Sequence, residues 1–145
     1  MEDHHVPLEE RREVEWRTFK AVCYLRMGEN ENCLSNHNAD SCIFPIRGKG
    51  VHTLERGSRG AVTVLNELLD RYPGCLRARW LLNIAYMTLG EYPDKVPQRW
   101  LLEPKLFASE YDIKHFPDVA PDVGLSIQSL AGGVVLEDQI GRAHV

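Results

Sequence analysis

The sequence predicts a mainly α fold: helical hairpins carrying a long ordered insertion, followed by an irregular segment that begins to turn toward β structure. Three observations predict it. Apolar residues recur at helical spacing in three stretches. Two of those stretches are separated only by a Pro-Gly turn, which forces antiparallel packing. Beyond Gly90, five prolines interrupt the chain and end the helical pattern.

The first helix is predicted over Leu8 to Met27, with Val14, Thr18, Ala21, Val22 and Leu25 as its apolar face. Pro7 is tolerated at a helix start, and Glu9, Glu10 and Glu13 suit the positive end of the helix dipole. Gly28 reads as the stop, because glycine enters the left-handed conformation without a Cβ clash. Residues 29–56 read as a non-helical insertion rich in Asn, Gly and Ser. A structureless loop of that length is unusual inside a domain, so it is expected to carry its own order through a disulfide, a ligand or side-chain hydrogen bonds. The second helix is predicted from Ser58, as N-cap, to Tyr72, with Ala61, Val64, Leu65, Leu68 and Leu69 inward. The third covers Leu76 to Leu89, with Leu81, Leu82, Ala85, Tyr86 and Leu89 inward and Gly90 as stop. Gln98 to Leu102 allows one helical turn, and Val134 to Leu136 a strand start.

The bulk composition narrows the function. The 145 residues suffice for one domain with a sizeable core, and 43% hydrophobic with 26% charged residues is ordinary for a globular chain. The formal charge of −4 gives no electrostatic case for nucleic acid, which calls for a clustered basic face. No apolar run approaches the roughly 18 residues of a membrane span, and no signal peptide is visible. The sequence shows neither paired carboxylates, a Gly-rich phosphate loop nor a Ser-His-Asp order, and the reading is of a protein that is not an enzyme.

The insertion concentrates the chemistry-bearing side chains. Cys33 and Cys42 lie in a polar loop and form a candidate disulfide. Cys33, His37, Cys42 and His52 supply the soft ligands of a tetrahedral Zn²⁺ site, at a spacing that matches no standard finger. Free thiols are the third alternative, and all three stay open on the residues alone. Cys23 and Cys75, in apolar helical patterns, read as core thiols. Asn30, Asn32, Asn36 and Asn38 read first as substitutes for missing secondary structure, bonding to backbone groups. Asn36, Asn38, Arg47, Lys49 and Arg56 are the candidate binding surface for a protein or peptide partner. Arg77 and Arg79 read as exposed, and Trp16, Trp80 and Trp100 as packing residues.

An internal repeat organises the helices. Tyr24 to Glu29 and Tyr86 to Glu91 share an aromatic, a large apolar residue three positions on, then Gly-Glu. Ala61, Leu65, Leu68 and Pro73 resemble the second helix of a tetratricopeptide repeat with its closing proline, and Leu82, Tyr86, Leu89, Gly90 and Tyr92 resemble the first helix of the next. Asn83 stands where that pattern has a small residue, and its bulk is expected to force the helices apart.

A second resemblance covers roughly Leu25 to Asp138. It rests on Glu31-Asn32-Cys33, Asn36-His37-Asn38, Ser41-Cys42, Phe44-Pro45-Ile46-Arg47-Gly48, Gly50-Val51-His52, RARWLLNIAYMTLGEYP and FASEYDI..FPDVAPDVGL. Together these resemble the N-terminal part of bacterial cartilage-acidic-protein-type proteins, with FG-GAP/VCBS repeats and an ASPIC/UnbV domain. The resemblance implies an exported protein, periplasmic or extracellular. It implies a helical module over 1–92, an irregular linker over 93–116, and the start of a β-propeller over 117–138. After Glu137-Asp138 the pattern departs. Residues 139–145 resemble a translated sequencing adapter and are expected to be a non-native tail on a chain cut before the propeller. The calcium of that family belongs to the missing propeller, and Asp138 alone cannot supply the about six to eight oxygens Ca²⁺ takes. No cofactor is therefore expected here. The function implied is a protein-interaction or scaffold module that packs against the propeller or presents a partner to it. A metal-binding or redox module on the Cys/His insertion is the alternative.

Overall fold

A computed structural model describes residues 8–36, 38, 40–41, 44–108, 110–111, 117 and 119–126. The chain divides into two compact units, Met1–Ser109 and Glu110–Val145, each described by itself. The structure is mainly α. Helix α1 spans Leu8–Asn36, α2 spans Arg56–Arg71 and α3 spans Leu76–Thr88, with short 3-10 turns at Gly48–Gly50 and Pro104–Phe107. No strand occurs among the described residues.

Helix α2 lies between the other two. At one end of the α1–α2 pair Gly28 meets Gly57; at the other, Tyr72 and Arg71 reach Glu13. That pairing of first with last residues makes α1 and α2 antiparallel. The Pro73-Gly74 turn reverses the chain again, and Ser58 in α2 lies 2.8 Å from the Thr88 hydroxyl at the end of α3. The shared core is Ala21 from α1, Ala61, Val64, Leu65, Leu68 and Leu69 from α2, and Ala78, Leu82, Ala85 and Tyr86 from α3. Each fully buried leucine contributes about 1.5–3 kcal/mol relative to exposure, so the α2 stripe is the largest single apolar contribution to the fold.

Helix α1 runs eight residues past the predicted stop, through Glu29 to Asn36. A stop at glycine requires positive φ, and among the described residues only Gly48, Gly90 and Gly124 have it. Gly28 stays helical and is buried against the start of α2, an approach that the missing side chain of Gly57 permits. A Cβ on Gly57 would lie 2.5 Å from the Gly28 nitrogen and from the Tyr24 carbonyl oxygen, and one on Gly60 would lie 2.6 Å from the Tyr24 ring. The extension survives its poor helix formers because Asn32 is buried and fully bonded. Its amide donates to Gly28 O at 2.7 Å and Leu54 O at 3.0 Å, while Oδ1 accepts from Thr53 N at 2.8 Å and Leu54 N at 3.0 Å. Tertiary partners thus override local propensity.

Other expectations need correction for the same reason. Ser58 is not an N-cap; it lies inside α2, fully buried, and the capping position is held by Glu55 with no side-chain cap bond. Cys23 is exposed, because the face of α1 turned to α2 runs through Val14, Thr18, Ala21 and Leu25, and Cys75, at the start of α3, is only part-buried. Val22 lies at the margin of that face and is 41% exposed. Arg79 is not a free surface residue: it donates to Trp100 O at 3.2 Å and Leu101 O at 2.6 Å. Trp100 is a core residue, whereas Trp16 stands out from α1 with the Arg17 guanidinium over its ring.

Helix α3 ends as the sequence suggests. Gly90 has φ +66°, its N–H donates to Met87 O, and Glu91 N–H donates to Tyr86 O, which is the paired bonding of a Schellman motif. The following segment, 93–108, is tied to α3. Val96 and Trp100 enter the core, and Pro97 O accepts from Trp100 N and Leu101 N in one helical turn. Asn83 makes that tie. It is fully buried, donating to Arg79 O at 2.8 Å and Trp100 O at 2.9 Å and accepting from Leu102 N at 3.0 Å. Its bulk is turned to this segment and does not wedge the helices apart.

In the second unit, Val119 to Leu125 form a hydrogen-bonded turn closed by Leu125 N–H to Ala120 O at 2.8 Å, with Gly124 at φ +74°. The strand expected at Val134 to Leu136 and the tail 139–145 lie outside the described residues.

Candidate functional site

The described part of the insertion is held by side-chain hydrogen bonds. Asn38 Oδ1 accepts from Asp40 N at 2.9 Å, an Asx turn, and Asn38 Nδ2 donates to Asn36 O and to Lys49 O. Asn36 Nδ2 also donates to Lys49 O, at 3.2 Å. Gly50 is the packing point of this loop, since a Cβ there would lie 2.4 Å from Asp40 O. His52 N–H donates to Thr88 O at 2.8 Å and so staples the loop to the end of α3.

These contacts leave a narrow cleft lined by Glu29, Asn32, Cys33, Asn36, Lys49 and His52, among others. Its interior is about 30 Å³, room for a water or two rather than a peptide. Cys33 is a free, exposed thiol on α1, and Cys42, its candidate disulfide partner, lies outside the described residues. His37 lies outside them too. Of the candidate metal ligands, Cys33 and His52 therefore share the cleft. Among the described residues no group of three or more His, Cys, Asp or Glu side chains is placed to hold a metal ion. His52 Nδ1 lies 3.1 Å from the buried Ser58 hydroxyl. Burial lowers its pKa below 6.5, against a weaker opposite pull from Glu29.

Of the candidate binding surface, Asn36, Asn38 and Lys49 come together, and Arg47 precedes the Gly48–Gly50 turn on the exposed side. Arg56 stands apart, ion-paired with Glu31. The Asn38 amide is saturated by backbone carbonyls, which makes it a structural residue more than a ligand donor.

Two carboxylate hubs lie outside the sequence-predicted site. Glu13 receives the Tyr72 hydroxyl at 2.8 Å, Arg17 at 2.9 Å and Arg71 at 2.8 Å, and the Tyr72 bond leads in lowering its pKa. It borders an open groove with Glu9, Glu10, Arg12, Trp16 and Arg71. Glu91, the second member of the repeated Gly-Glu pair, takes a bidentate bond from Arg59, both contacts 2.8 Å, and one from Lys95 at 2.8 Å. These bonds, Arg59 first, lower its pKa from 4.5 to about 2. The shared Gly-Glu motif is a signal for it, but the partners sit 32 and 4 residues away.

Glu91 makes a pH prediction. Its folded pKa is depressed, so the unfolded chain binds the proton more readily. The stabilisation is complete above about pH 4.5 and is lost as pH falls toward 2. Arg59 and Lys95 are solvated, so the contribution at neutral pH is on the order of 2 kcal/mol rather than the full shift. Glu91→Gln should lower stability to urea at pH 7 and flatten the loss between about pH 5 and 3.

No protein-family model, curated protein or solved structure matches the chain.

Proposed function

We propose that this chain is a helical interaction scaffold of tetratricopeptide type, which packs against an adjoining β-propeller or presents a protein or peptide to it. One observation carries the reading: an apolar strip left outside the core along α3 and the 3-10 turn after it. Leu76 is 76% exposed, Trp80 45% and Leu106 62%. Trp80, Phe107 and Tyr92 form a run of three rings, with centroids 5.3 and 5.8 Å apart. Large aromatic side chains on a rigid helical face are the anchors that protein interfaces favour. The Asn83–Arg79 tie holds this strip in place immediately before the second unit begins. Among the described residues no helix is long and apolar enough to cross a membrane. An exported location and the propeller itself follow from the family resemblance.

The test uses calorimetry with a separately produced FG-GAP-type propeller as titrant. The chain should bind it, and Trp80→Ser with Leu106→Ser should weaken binding by at least about tenfold. An apolar dye should also bind the unmodified chain and be released by the same pair. Absence of both signals, or equal binding by the substituted chain, rejects the reading.

The second reading, a metal or redox module, is favoured by Cys33 and His52 sharing one cleft. It expects stoichiometric zinc or copper with two protected thiols. Loss of two free thiols that reductant restores would point to the Cys33–Cys42 disulfide instead. Four titratable thiols and no metal would reject both.

A further inference from the structure

Helix α1 carries exposed apolar side chains away from α2 as well. Besides the face on α2, it carries Leu8 and Phe19, each 69% exposed, and Val22, 41% exposed, on its outer flank. Trp16, 51% exposed, and the exposed Cys23 border Phe19. No described element packs over them. An exposed aromatic and aliphatic row on the longest helix calls for an occupant.

The charges around that row identify one. Positions 8, 12, 15, 19, 22, 26, 29 and 33 alternate steps of four and three, the spacing of a coiled-coil seam. They hold Leu8, Arg12, Glu15, Phe19, Val22, Arg26, Glu29 and Cys33, and of these Val22 is the least exposed apolar residue of the seam. The seam is self-complementary when two copies cross antiparallel about a two-fold axis between Lys20 and Ala21. Phe19 then meets Val22 of the second copy, Glu15 meets Arg26, Arg12 meets Glu29, and Leu8 meets Cys33. Every layer is matched apolar to apolar or acid to base. A parallel pairing stacks Arg12 on Arg12 and Glu15 on Glu15. Sliding the antiparallel pair by one heptad sets Arg26 against Val22 or Leu8. Within each chain Arg26 already bonds Glu29, at 2.6 Å, so the two charged layers link into one chain of alternating charge.

We propose that the outer flank of α1 is a homodimer interface, in which a second copy of this chain docks antiparallel along the Leu8-to-Cys33 seam. Charged layers in a two-helix seam fix register at a cost in affinity. The dimer is therefore reversible, and it weakens as salt screens the layers. This interface is separate from the α3 strip of the proposed function, and the two can fail independently.

Sedimentation of the full chain tests it. The unmodified protein should associate reversibly, and Glu15→Arg or Arg26→Glu alone should weaken association at least about tenfold, because each sets like charges together. An equimolar mixture of the two variants should recover the dimer, since the introduced arginine of one variant then faces the introduced glutamate of the other, and both charged layers are again acid to base. Phe19→Ser should dissociate the dimer, whereas Leu106→Ser should leave it intact. Unchanged helical circular dichroism shows that each variant folds. A chain that stays monomeric to about 200 µM, association insensitive to Glu15→Arg, or a mixture that stays monomeric overturns the proposal. Association lost with Leu106→Ser but kept with Glu15→Arg overturns it also, by assigning self-association to the α3 strip.

Discussion

Replacing Gly57 by alanine should destabilise this protein by about 3 kcal/mol, more than the same change at Gly28 or Gly60. The reason is geometric. The new Cβ would lie 2.5 Å from a backbone nitrogen and a backbone oxygen of α1 and 2.6 Å from the Gly28 Cα. Backbone atoms cannot rotate away as a side chain can, so the helices must separate along their whole contact, which also loosens Ala21 and Ala61. Alanine's better helix propensity offsets only about 1 kcal/mol. Gly60→Ala meets the Tyr24 ring instead, a side chain able to move, and should cost less despite a similar distance of 2.6 Å. Gly74→Ala, with nothing within 4 Å, is the control and should be nearly neutral. For a domain of this size the Gly57 variant should melt on the order of 10–20 °C lower by calorimetry. A shift equal to that of Gly74→Ala would mean the helices do not approach this closely.

Why the sequence yields some of this and withholds the rest is visible in single residues. The α2 stripe and the α3 stop are legible because their signals are local. Ala61, Leu65 and Leu68 follow the period of a helix, and Gly90 takes a positive φ that only its own backbone requires. Gly28 carries the same local signal as Gly90 and means the opposite, since its role is set by Gly57 on another helix. Ser58 is a good cap by type, yet it is placed inside α2 by Thr88 and His52. Arg79 is charged, yet its carbonyl partners at Trp100 and Leu101 lie in a segment read as a linker. In the candidate site, composition alone points to asparagines ordering the insertion, and Asn36 and Asn38 do so. It does not single out Asn32 as the residue with four strong partners, because Asn30, Asn32, Asn36 and Asn38 look alike until the helix extends past Gly28. Gly28, Ser58 and Arg79 depend on partners remote in the chain, which no local pattern encodes.

Asn83 decides between two readings of the third helix. The tetratricopeptide pattern has a small residue here, so on resemblance alone Asn83→Ala should be neutral or stabilising. The structure argues for a loss of about 3 kcal/mol. The side chain is fully buried, and removing it leaves the part-buried Leu102 N–H without its acceptor and the Trp100 carbonyl with only the longer bond from Arg79. A cavity the size of an amide adds to that cost. Asn83→Leu separates the two contributions: it fills the space but restores neither bond, so it should remain destabilising by about 2 kcal/mol. The loss should also be local. Residues 97–102 are held by this bracket, with Arg79 as the second anchor, so the Leu102 amide should exchange its hydrogen far faster in either variant while the amides of α2 keep most of their protection. Because Trp80 and Leu106 rely on that segment for their positions, binding through the α3 strip should fall with it. An alanine variant as stable as the parent, with Leu102 still protected, would return the position to the small-residue role the repeat pattern gives it.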